Sequence, residues 1–203
     1  MKFFFGEVFM SVGDVMAILG CEVASCSTVN RECDDFYVTP PSVTRCLLEL
    51  EEFDDRVWEC AVGRGDMAEV LTSYGYSVVG SDVVDRGYDG VVLEDFLECS
   101  TPFDGDIVTN PPYKFSTDFV LKALELSKRK VAMLFKIQFC EGIDRYNRLF
   151  SKFPPYCIYV FPRRVGCLKN GEDNHSRSAI CYAWFVWDKE YTGETLFRWI
   201  DNV

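Results

Sequence analysis

The stretch VWECAVGRGD at residues 57–66 decides the fold class of this chain. Its first half is an apolar run of strand length, and its second half carries Gly63 and Gly65 immediately before a helical pattern. Glycines in a strand-to-helix turn let the backbone approach a ligand closely at the carboxyl edge of a parallel sheet, where open α/β folds bind their ligands. The stretch therefore predicts a parallel α/β fold with a nucleotide-like ligand at this turn, although a tight structural turn would explain the glycines as well.

Strand and helix patterns alternate on both sides of the glycine turn. Apolar periodicity predicts amphipathic helices at 42–53, 66–75 and 116–130, and strands at 56–61, 76–82, 89–96, 105–110 and 131–136. This βαβ alternation indicates a mostly parallel sheet with helices on both faces. The last two predicted strands, at 156–162 and 179–188, have no helix between them, which favours an antiparallel strand at the C-terminal edge of a seven-stranded sheet. A short helix is expected in the tail at 193–203.

The alternation fills residues 36–203, where we expect one folded domain without a separate target-recognition domain. Residues 1–35 lack it except for a helical pattern at 12–19, so they form an N-terminal extension of unclear role. The first residues do not form a signal-peptide core, and no apolar run reaches the length of a membrane span. We therefore expect a cytoplasmic protein with no membrane partner.

Composition argues against a metal site and against broad binding of polyanions. The ten cysteines form no C-x-x-C pair and His175 is the single histidine, so no zinc-ligand spacing is present and reduced thiols are expected. The formal net charge of -11 opposes non-specific contact with nucleic acid, which would have to be local. Positive charge gathers only at 127–136 and 161–178, and a solvated helix end explains it in the first of these segments.

Acidic residues follow the predicted strands at the spacing of a nucleoside site. Asp82 ends the second strand about 20 residues beyond the glycine turn, where a carboxylate accepts hydrogen bonds from ribose hydroxyls. Asp95 ends the third strand and could bind an adenine amino group while the ring of Phe96 packs on the base. Glu59, before the turn, would repel a pyrophosphate and attract an ammonium group. These residues predict a zwitterionic nucleoside as the ligand.

The segment NPPY at 110–113 follows the fourth predicted strand and completes a set of motifs. Together with ECAVGRG at 59–65, Asp82 and EDF at 94–96, it resembles the Rossmann-like S-adenosylmethionine-dependent amino-methyltransferases that make N6-methyladenine. The order of motifs is similar to that of small stand-alone adenine methyltransferases, including those of phages and mobile elements. The resemblance implies S-adenosylmethionine as the cofactor and the N6 amine of adenine in DNA as the methyl acceptor.

The resemblance covers roughly residues 35–187 and includes DFYVTPP at 35–41, which in this family helps to hold the methionine end of the cofactor. The segment FPRRVGCLKNG at 161–171 looks like the one that lines the target-base pocket. The cofactor-binding residues that the resemblance implies are Tyr37, Thr39, Pro40, Glu59, Ala61, Gly63, Gly65, Asp82, Val83, Asp95, Phe96 and Asn110.

The NPPY segment also implies the catalytic residues, Asn110, Pro111, Pro112 and Tyr113. The side-chain oxygen of Asn110 and the carbonyl of Pro111 would accept hydrogen bonds from the amine, which localises its lone pair for attack on a methyl group. The two prolines fix φ, so these acceptors are aimed before the substrate binds. Tyr113 would stack on a base held out of its helix or strand. The candidate substrate-binding residues are Tyr113, Lys114, Phe115, Arg163, Arg164 and Lys169.

Three other functions stay open on the sequence. Adenine in RNA is an alternative acceptor, although DNA is favoured. A protein glutamine amide has the same planar NH₂ chemistry and suits the acidic composition better than nucleic acid does. The chain could also be a non-catalytic, methyltransferase-like subunit of a heterodimer. Target recognition is expected from the 161–178 loop, from residues 1–35 or from a partner subunit.

Overall fold

Residues 37–165 and 180–201, together with the backbone of 168–169, are described by a computed structural model of the chain. The expected extension at 1–35, with its helix at 12–19, lies outside these residues. The described helices are α1 (Pro41–Leu48), α2 (Asp66–Ser73), α3 (Ser116–Leu126) and α4 (Ile143–Arg145). The described strands are β1 (Tyr37–Val38), β2 (Arg56–Glu59), β3 (Ser77–Asp82), β4 (Val92–Leu93), β5 (Asp106–Thr109), β6 (Lys130–Lys136), β7 (Cys157–Val160), β8 (Leu168–Lys169), β9 (Tyr182–Asp188) and β10 (Leu196–Trp199).

Eight of these strands form one sheet in the order β10-β7-β9-β6-β5-β2-β3-β4. Neighbouring strands are parallel, except that β9 runs antiparallel to both β6 and β7. The predicted class, a mostly parallel α/β sheet, is confirmed. The strands β1 and β8 pair with each other as a separate antiparallel ribbon.

The C-terminal part of the sheet differs from the prediction in two ways. The sequence predicts the antiparallel strand at the edge, but β9 lies inside the sheet with β6 on one side and β7 on the other. The edge is β10, in the tail where the sequence predicts a helix, and it runs parallel to β7. The LFRW sequence of β10 is rich in strand-forming aromatic residues, and pairing with β7 outweighs its local helical pattern. The sheet therefore has eight strands rather than seven.

Apolar side chains cover both faces of this sheet, because successive residues of a strand point to opposite faces. On one face α3 packs on the strands through a set that includes Phe119, Val120, Ala123, Ile107 and Met133. On the other face α1 and α2 pack on the strands through a set that includes Leu47, Leu71, Val57, Val108 and Leu134. The prediction of helices on both faces is confirmed.

Buried polar groups fix the amino ends of the central strands. Asp106 accepts hydrogen bonds from the backbone amides of Asp54 at 2.7 Å and Lys130 at 2.6 Å. The ammonium of Lys130 donates to Glu51 at 2.7 Å, and the hydroxyl of Tyr159 donates to the other oxygen of that carboxylate at 2.6 Å. These contacts tie the segment before β2 to β5, β6 and β7.

The basic run at 128–130 lies at this amino-terminal edge of the sheet. Its three side chains pair with acids of the same chain: Lys128 with Asp54 at 2.8 Å, Arg129 with Asp188 at 3.2 Å, and Lys130 with Glu51. The run therefore stabilises the fold, at the opposite end of the parallel strands from the NPPY segment. Of the helices in the described part of the chain, none combines the length and the apolar character that crossing a bilayer requires.

Candidate active site

The glycine turn lies between β2 and α2, at the carboxyl edge of the sheet. Gly63 and Gly65 have φ values of 57° and 92°, a left-handed backbone that glycine adopts without strain. The amide of Gly65 donates to the carbonyl of Val62 at 2.8 Å, and the amide of Val62 donates to Ser81 in β3 at 2.9 Å. The turn is therefore held against the neighbouring strand before any ligand arrives.

Tyr88, in the loop after β3, covers this turn. A Cβ atom at Gly65 would lie 2.3 Å from the Tyr88 ring, and one at Gly80 in β3 would lie 2.5 Å from it. Both distances are too short for a side chain, so these glycines are needed to admit the ring. Sequence reasoning missed Tyr88, because a single tyrosine in a polar loop gives no periodic signal.

Asp82 ends β3 as predicted and binds its own chain through both carboxylate oxygens. Oδ2 accepts from the amide of Gly63 at 2.9 Å, while Oδ1 accepts from the amide of Val84 at 3.1 Å and from Arg86 at 3.3 Å. Only 8% of the residue is exposed. Asp82 thus fixes the glycine turn, and a ribose hydroxyl at Oδ1 would compete with the Arg86 guanidinium.

Glu59 is the last residue of β2 and is 2% exposed. Its Oε2 has no hydrogen-bond partner among the described residues. Burial raises the pKa of this carboxyl well above its ordinary value, the nearby charges of Asp82 and Asp66 raise it further, and a hydrogen bond from the Ala68 backbone opposes the rise. A buried acid of this kind fits a cationic group of a ligand, which would supply the missing partner.

Asn110 follows β5 and is fixed by a residue from the beginning of the described chain. Its Nδ2 donates to Oγ1 of Thr39 at 3.0 Å. Its Oδ1 is buried and has no hydrogen-bond partner in the described part of the chain. The side chain therefore carries one satisfied donor end and one acceptor end that is available to a ligand.

A pocket joins these side chains, with about 250 Å³ of space that holds no protein atoms and is partly open to solvent. Its lining includes five of the predicted cofactor residues, Tyr37, Thr39, Glu59, Ala61 and Asn110. The remaining lining residues were not predicted, although each lies within two positions of a predicted one: Val38, Val62, Asp66 and Met67. The structure thus brings together the segment before α1, the glycine turn and the start of NPPY.

Tyr113 stands among aromatic rings and one cation. Its ring is stacked on Tyr37 at a centroid distance of 5.6 Å, and the Tyr182 ring lies at 6.4 Å. The ammonium of Lys136, at the carboxyl end of β6, lies 5.1 Å from the centre of the Tyr113 ring. Sequence reasoning named neither Tyr182 nor Lys136 as site residues, because strands distant in sequence bring them to this position.

The predicted prolines and Val83 differ in burial and lie outside the pocket. Pro111 is buried, Pro112 and Pro40 are half-buried, and Pro40 immediately precedes α1. Val83 is 61% exposed beyond the end of β3. None of the three prolines nor Val83 is among the residues that line the pocket.

Phe96 corrects one prediction. The sequence places its ring on an adenine, but Phe96 is 1% exposed. Its ring packs edge-on against Trp58 at 5.1 Å and at a tilt of 35° against Phe119 at 5.1 Å. The ring belongs to the core under α3, because a large aromatic side chain gains more from full burial there than at a ligand edge. The preceding Asp95 is exposed, and its carboxylate accepts from the Leu97 amide at 2.9 Å.

The predicted substrate residues lie in two places. Lys114 and Phe115 are exposed directly after Tyr113, with the Lys114 ammonium 5.0 Å from the Phe115 ring centre. Arg163 and Arg164 are exposed after β7, and Arg163 pairs with Asp201 at 3.3 Å. The backbone of Lys169 pairs with Tyr37, while its side chain lies outside the described residues.

No metal centre accompanies this site in the described residues. No group of three or more His, Cys, Asp or Glu side chains in that part of the chain could hold a metal ion. The cysteines described there are free thiols.

Comparison with known proteins identifies the fold. No protein-family model matches the chain, and no curated protein matches it. Among solved structures, a candidate RNA methyltransferase of Pyrococcus horikoshii is 17% identical with a TM-score of 0.51, over 73% of this chain and 80% of that one. The modification subunit of a candidate type I restriction enzyme of Vibrio vulnificus is 14% identical with a TM-score of 0.56, over 79% of this chain and 45% of that one.

A third similar structure is the magnesium protoporphyrin IX methyltransferase of Synechocystis with bound SAH, at 11% identity and a TM-score of 0.50 over 72% of this chain and 80% of that one. At these identities the likeness concerns the fold alone. The chain has the Rossmann-like fold of the methyltransferases, with helices on both faces of a mostly parallel sheet.

Proposed function

We propose that the chain is an S-adenosylmethionine-dependent methyltransferase that acts on the exocyclic N6 amine of adenine in DNA. The observation that carries the proposal is the buried Oδ1 of Asn110, which has no partner among the described residues and shares one pocket with the unpaired Oε2 of Glu59. One acceptor suits a neutral NH₂ group and the other suits an ammonium. S-adenosylmethionine next to an adenine presents both.

The residues of the glycine turn fit the cofactor. Glu59 would bind the α-ammonium of the methionine part of the cofactor. The positive charge of that ammonium would favour the ionised form of the Glu59 carboxyl. Gly63 and Gly65 let the backbone approach closely, and Asp82 lies where it could accept from the ribose. One of the similar structures, the magnesium protoporphyrin IX methyltransferase, holds bound SAH, and another is a candidate RNA methyltransferase, which supports the same cofactor here.

The NPPY segment would prepare the acceptor. Bound S-adenosylmethionine would supply an activated methyl group on a positively charged sulfur. The amine nitrogen would bond to the methyl carbon as the carbon–sulfur bond breaks, S-adenosylhomocysteine would be the leaving group, and the surplus proton of the amine would leave to water. The side-chain oxygen of Asn110 and the carbonyl oxygen of Pro111 would each accept a hydrogen bond from the amine. These two hydrogen bonds would draw the nitrogen lone pair out of conjugation with the ring. The prolines hold these oxygens in place in advance, so little reorganisation accompanies the reaction.

Tyr113 would stack on the extruded base. In the structure its ring contacts Tyr37, so a base that enters between the two rings has to separate them. Lys136 sits beside the same ring and would offer its ammonium to a phosphate of the extruded nucleotide. Local contacts of this kind suit a chain whose formal net charge is -11.

The net charge also favours a second candidate, the side-chain amide of a protein glutamine. A glutamine amide presents the same planar NH₂ to Asn110, and binding a protein does not require the chain to face a polyanion. Adenine in RNA is also a candidate acceptor, and the sequence ranks it directly after adenine in DNA. If the purified chain binds no S-adenosylmethionine in calorimetry, a non-catalytic subunit of a heterodimer replaces all three.

The test is transfer of a labelled methyl group from S-adenosylmethionine to separate pools of duplex DNA, single-stranded DNA, RNA and cell protein. We expect label in DNA and N6-methyladenine after digestion to nucleosides. Asn110→Ala should lower turnover by roughly 100- to 1,000-fold, the scale of one lost transition-state hydrogen bond, while the dissociation constant of the cofactor stays unchanged. The exposed Asn147 provides the matched control, because Asn147→Ala removes an amide outside the site. Label in protein alone would contradict the DNA proposal.

A further inference from the structure

We infer that Thr39 is a positioning residue for Asn110: its hydroxyl accepts the Nδ2 hydrogen bond and so keeps the Asn110 oxygen directed at the acceptor amine. The inference rests on the proposed function for its catalytic consequence, but the contact itself is a property of the unliganded chain. It moves Thr39 from the cofactor-binding role implied by the sequence to a role in the methyl-transfer step.

An asparagine amide needs such a partner because its two ends have nearly the same shape and opposite chemistry. The oxygen only accepts hydrogen bonds and the NH₂ only donates them. With the oxygen towards the amine, Asn110 accepts from it and Nδ2 has to find an acceptor on the other side. The Thr39 hydroxyl supplies that acceptor at 3.0 Å. A hydroxyl can also donate, so this contact anchors the amide in place, while the hydrogens of the substrate amine require its oxygen end. With the amide turned over, two NH₂ groups would face each other and no hydrogen bond to the substrate could form.

The backbone around Thr39 restricts the position of its hydroxyl independently of the contact with Asn110. Thr39 is 5% exposed and directly precedes Pro40 and Pro41, and a residue before proline is confined to extended conformations. Its branched side chain has few accessible rotamers. On the other side, β1 is held by its pairing with β8. The hydrogen bond between Thr39 and Asn110, which are 71 positions apart in the sequence, therefore joins two stiff segments.

The first test compares Thr39→Val, which keeps the shape and removes the acceptor, with Thr39→Ser, which keeps the hydroxyl. Thr44→Val is the matched control, because Thr44 is also buried and its hydroxyl has no partner among the described residues. At saturating S-adenosylmethionine, Thr39→Val should lower kcat by roughly 10- to 100-fold, the scale of an unsatisfied buried donor. The dissociation constant of the cofactor should change by less than about threefold, because the substitution removes no hydrogen bond to the cofactor. Thr39→Ser should recover most of the rate.

A second test asks whether Thr39 acts through Asn110. In an Asn110→Ala background, Thr39→Val should cause no further loss of kcat, because the group that Thr39 orients is gone. Additive losses would overturn the inference. So would a Thr39→Val enzyme with normal kcat and weakened cofactor binding, since that result identifies Thr39 as a cofactor contact.

A third test does not depend on methylation. In ¹⁵N-labelled unliganded protein, the side-chain NH₂ signal of Asn110 is identified by its absence from Asn110→Ala. Thr39→Val should shift this signal and speed its exchange with water, whereas Thr44→Val should leave it in place. If no pool is methylated but the signal responds as expected, the proposed function fails and the contact stands. If DNA is methylated but neither kcat nor the signal responds to Thr39→Val, the inference fails alone.

Discussion

Replacing Glu59 by glutamine should change how the stability of the ligand-free protein depends on pH. Burial raises the pKa of this carboxyl above its ordinary value of 4.5. Within the described part of the chain, the charged or titratable groups that act on it include no cation: Asp82 comes from β3, Asp66 from α2, and Tyr88 from the loop after β3. Between the ordinary and the raised value, the folded chain therefore holds a proton that the unfolded chain has lost.

The sign and the size follow from this difference in bound protons. A raised pKa in the folded state stabilises the fold below the ordinary value, and the stabilisation is lost as pH rises through the raised value. The slope contributed by one such group approaches a loss of about 1.4 kcal/mol of unfolding free energy per pH unit. A glutamine at position 59 carries no titrating proton. The Glu59→Gln variant should therefore gain stability relative to the original chain as pH increases above 4.5.

Urea denaturation at a series of pH values from about 4.5 to 8 measures this difference, and comparing two proteins cancels the other titrating groups. Glu69→Gln is the control, since Glu69 is an exposed acid on the same helix as Asp66. Its stability curve should run parallel to that of the original chain. Parallel curves for Glu59→Gln as well would refute the reasoning, because they would mean that Glu59 is solvated or paired with a cation.

Three further outcomes are expected. Asp82→Ala should weaken cofactor binding in calorimetry by about 1.5–3 kcal/mol, the scale of a charge-assisted hydrogen bond, and an unchanged affinity would remove Asp82 from the site. Lys130→Met should lower the free energy of unfolding by about 3–5 kcal/mol because it leaves a buried carboxylate without its cation, whereas Lys128→Met should lower it much less; equal effects in denaturant titrations would contradict the buried pair. Gly80→Ala should cost about 1–3 kcal/mol by overpacking against Tyr88, and thermal or chemical denaturation should find a smaller cost in a Tyr88→Ala background.

Features that depend on short stretches of sequence could be predicted. The buried strand Asp106–Thr109 and the proline-rich segment after it are contiguous, and the glycine turn is bounded by a strand and a helix whose periodicities differ. The acids Glu59 and Asp82 could be located because they end strands. The carboxyl ends of parallel strands lie along the same edge of a sheet, which is where open α/β folds bind ligands, so these residues could be expected near each other.

Features that depend on packing between distant segments could not be predicted. An aromatic residue after a strand reads equally well as a ligand contact or as core, and only the position of α3 decides that Phe96 is core. The place of β9 follows from pairing on both of its sides, which no local pattern encodes. The hydrogen bond from Asn110 to Thr39 crosses 71 residues and gives no periodic signal. Tyr88 is identified only by the glycines that make room for its ring.

The internal position of β9 has a consequence for synthesis of the chain. β6 ends at Lys136 and β7 ends at Val160, but β9, which lies between them in the sheet, ends only at Asp188. On the ribosome, β6 and β7 therefore emerge well before the strand that separates them. Until β9 is made, each presents a strand edge with unpaired backbone N–H and C=O groups, which can pair with a second nascent chain. A chain cut before Tyr182 should collect in aggregates, however complete its glycine turn and NPPY segment are.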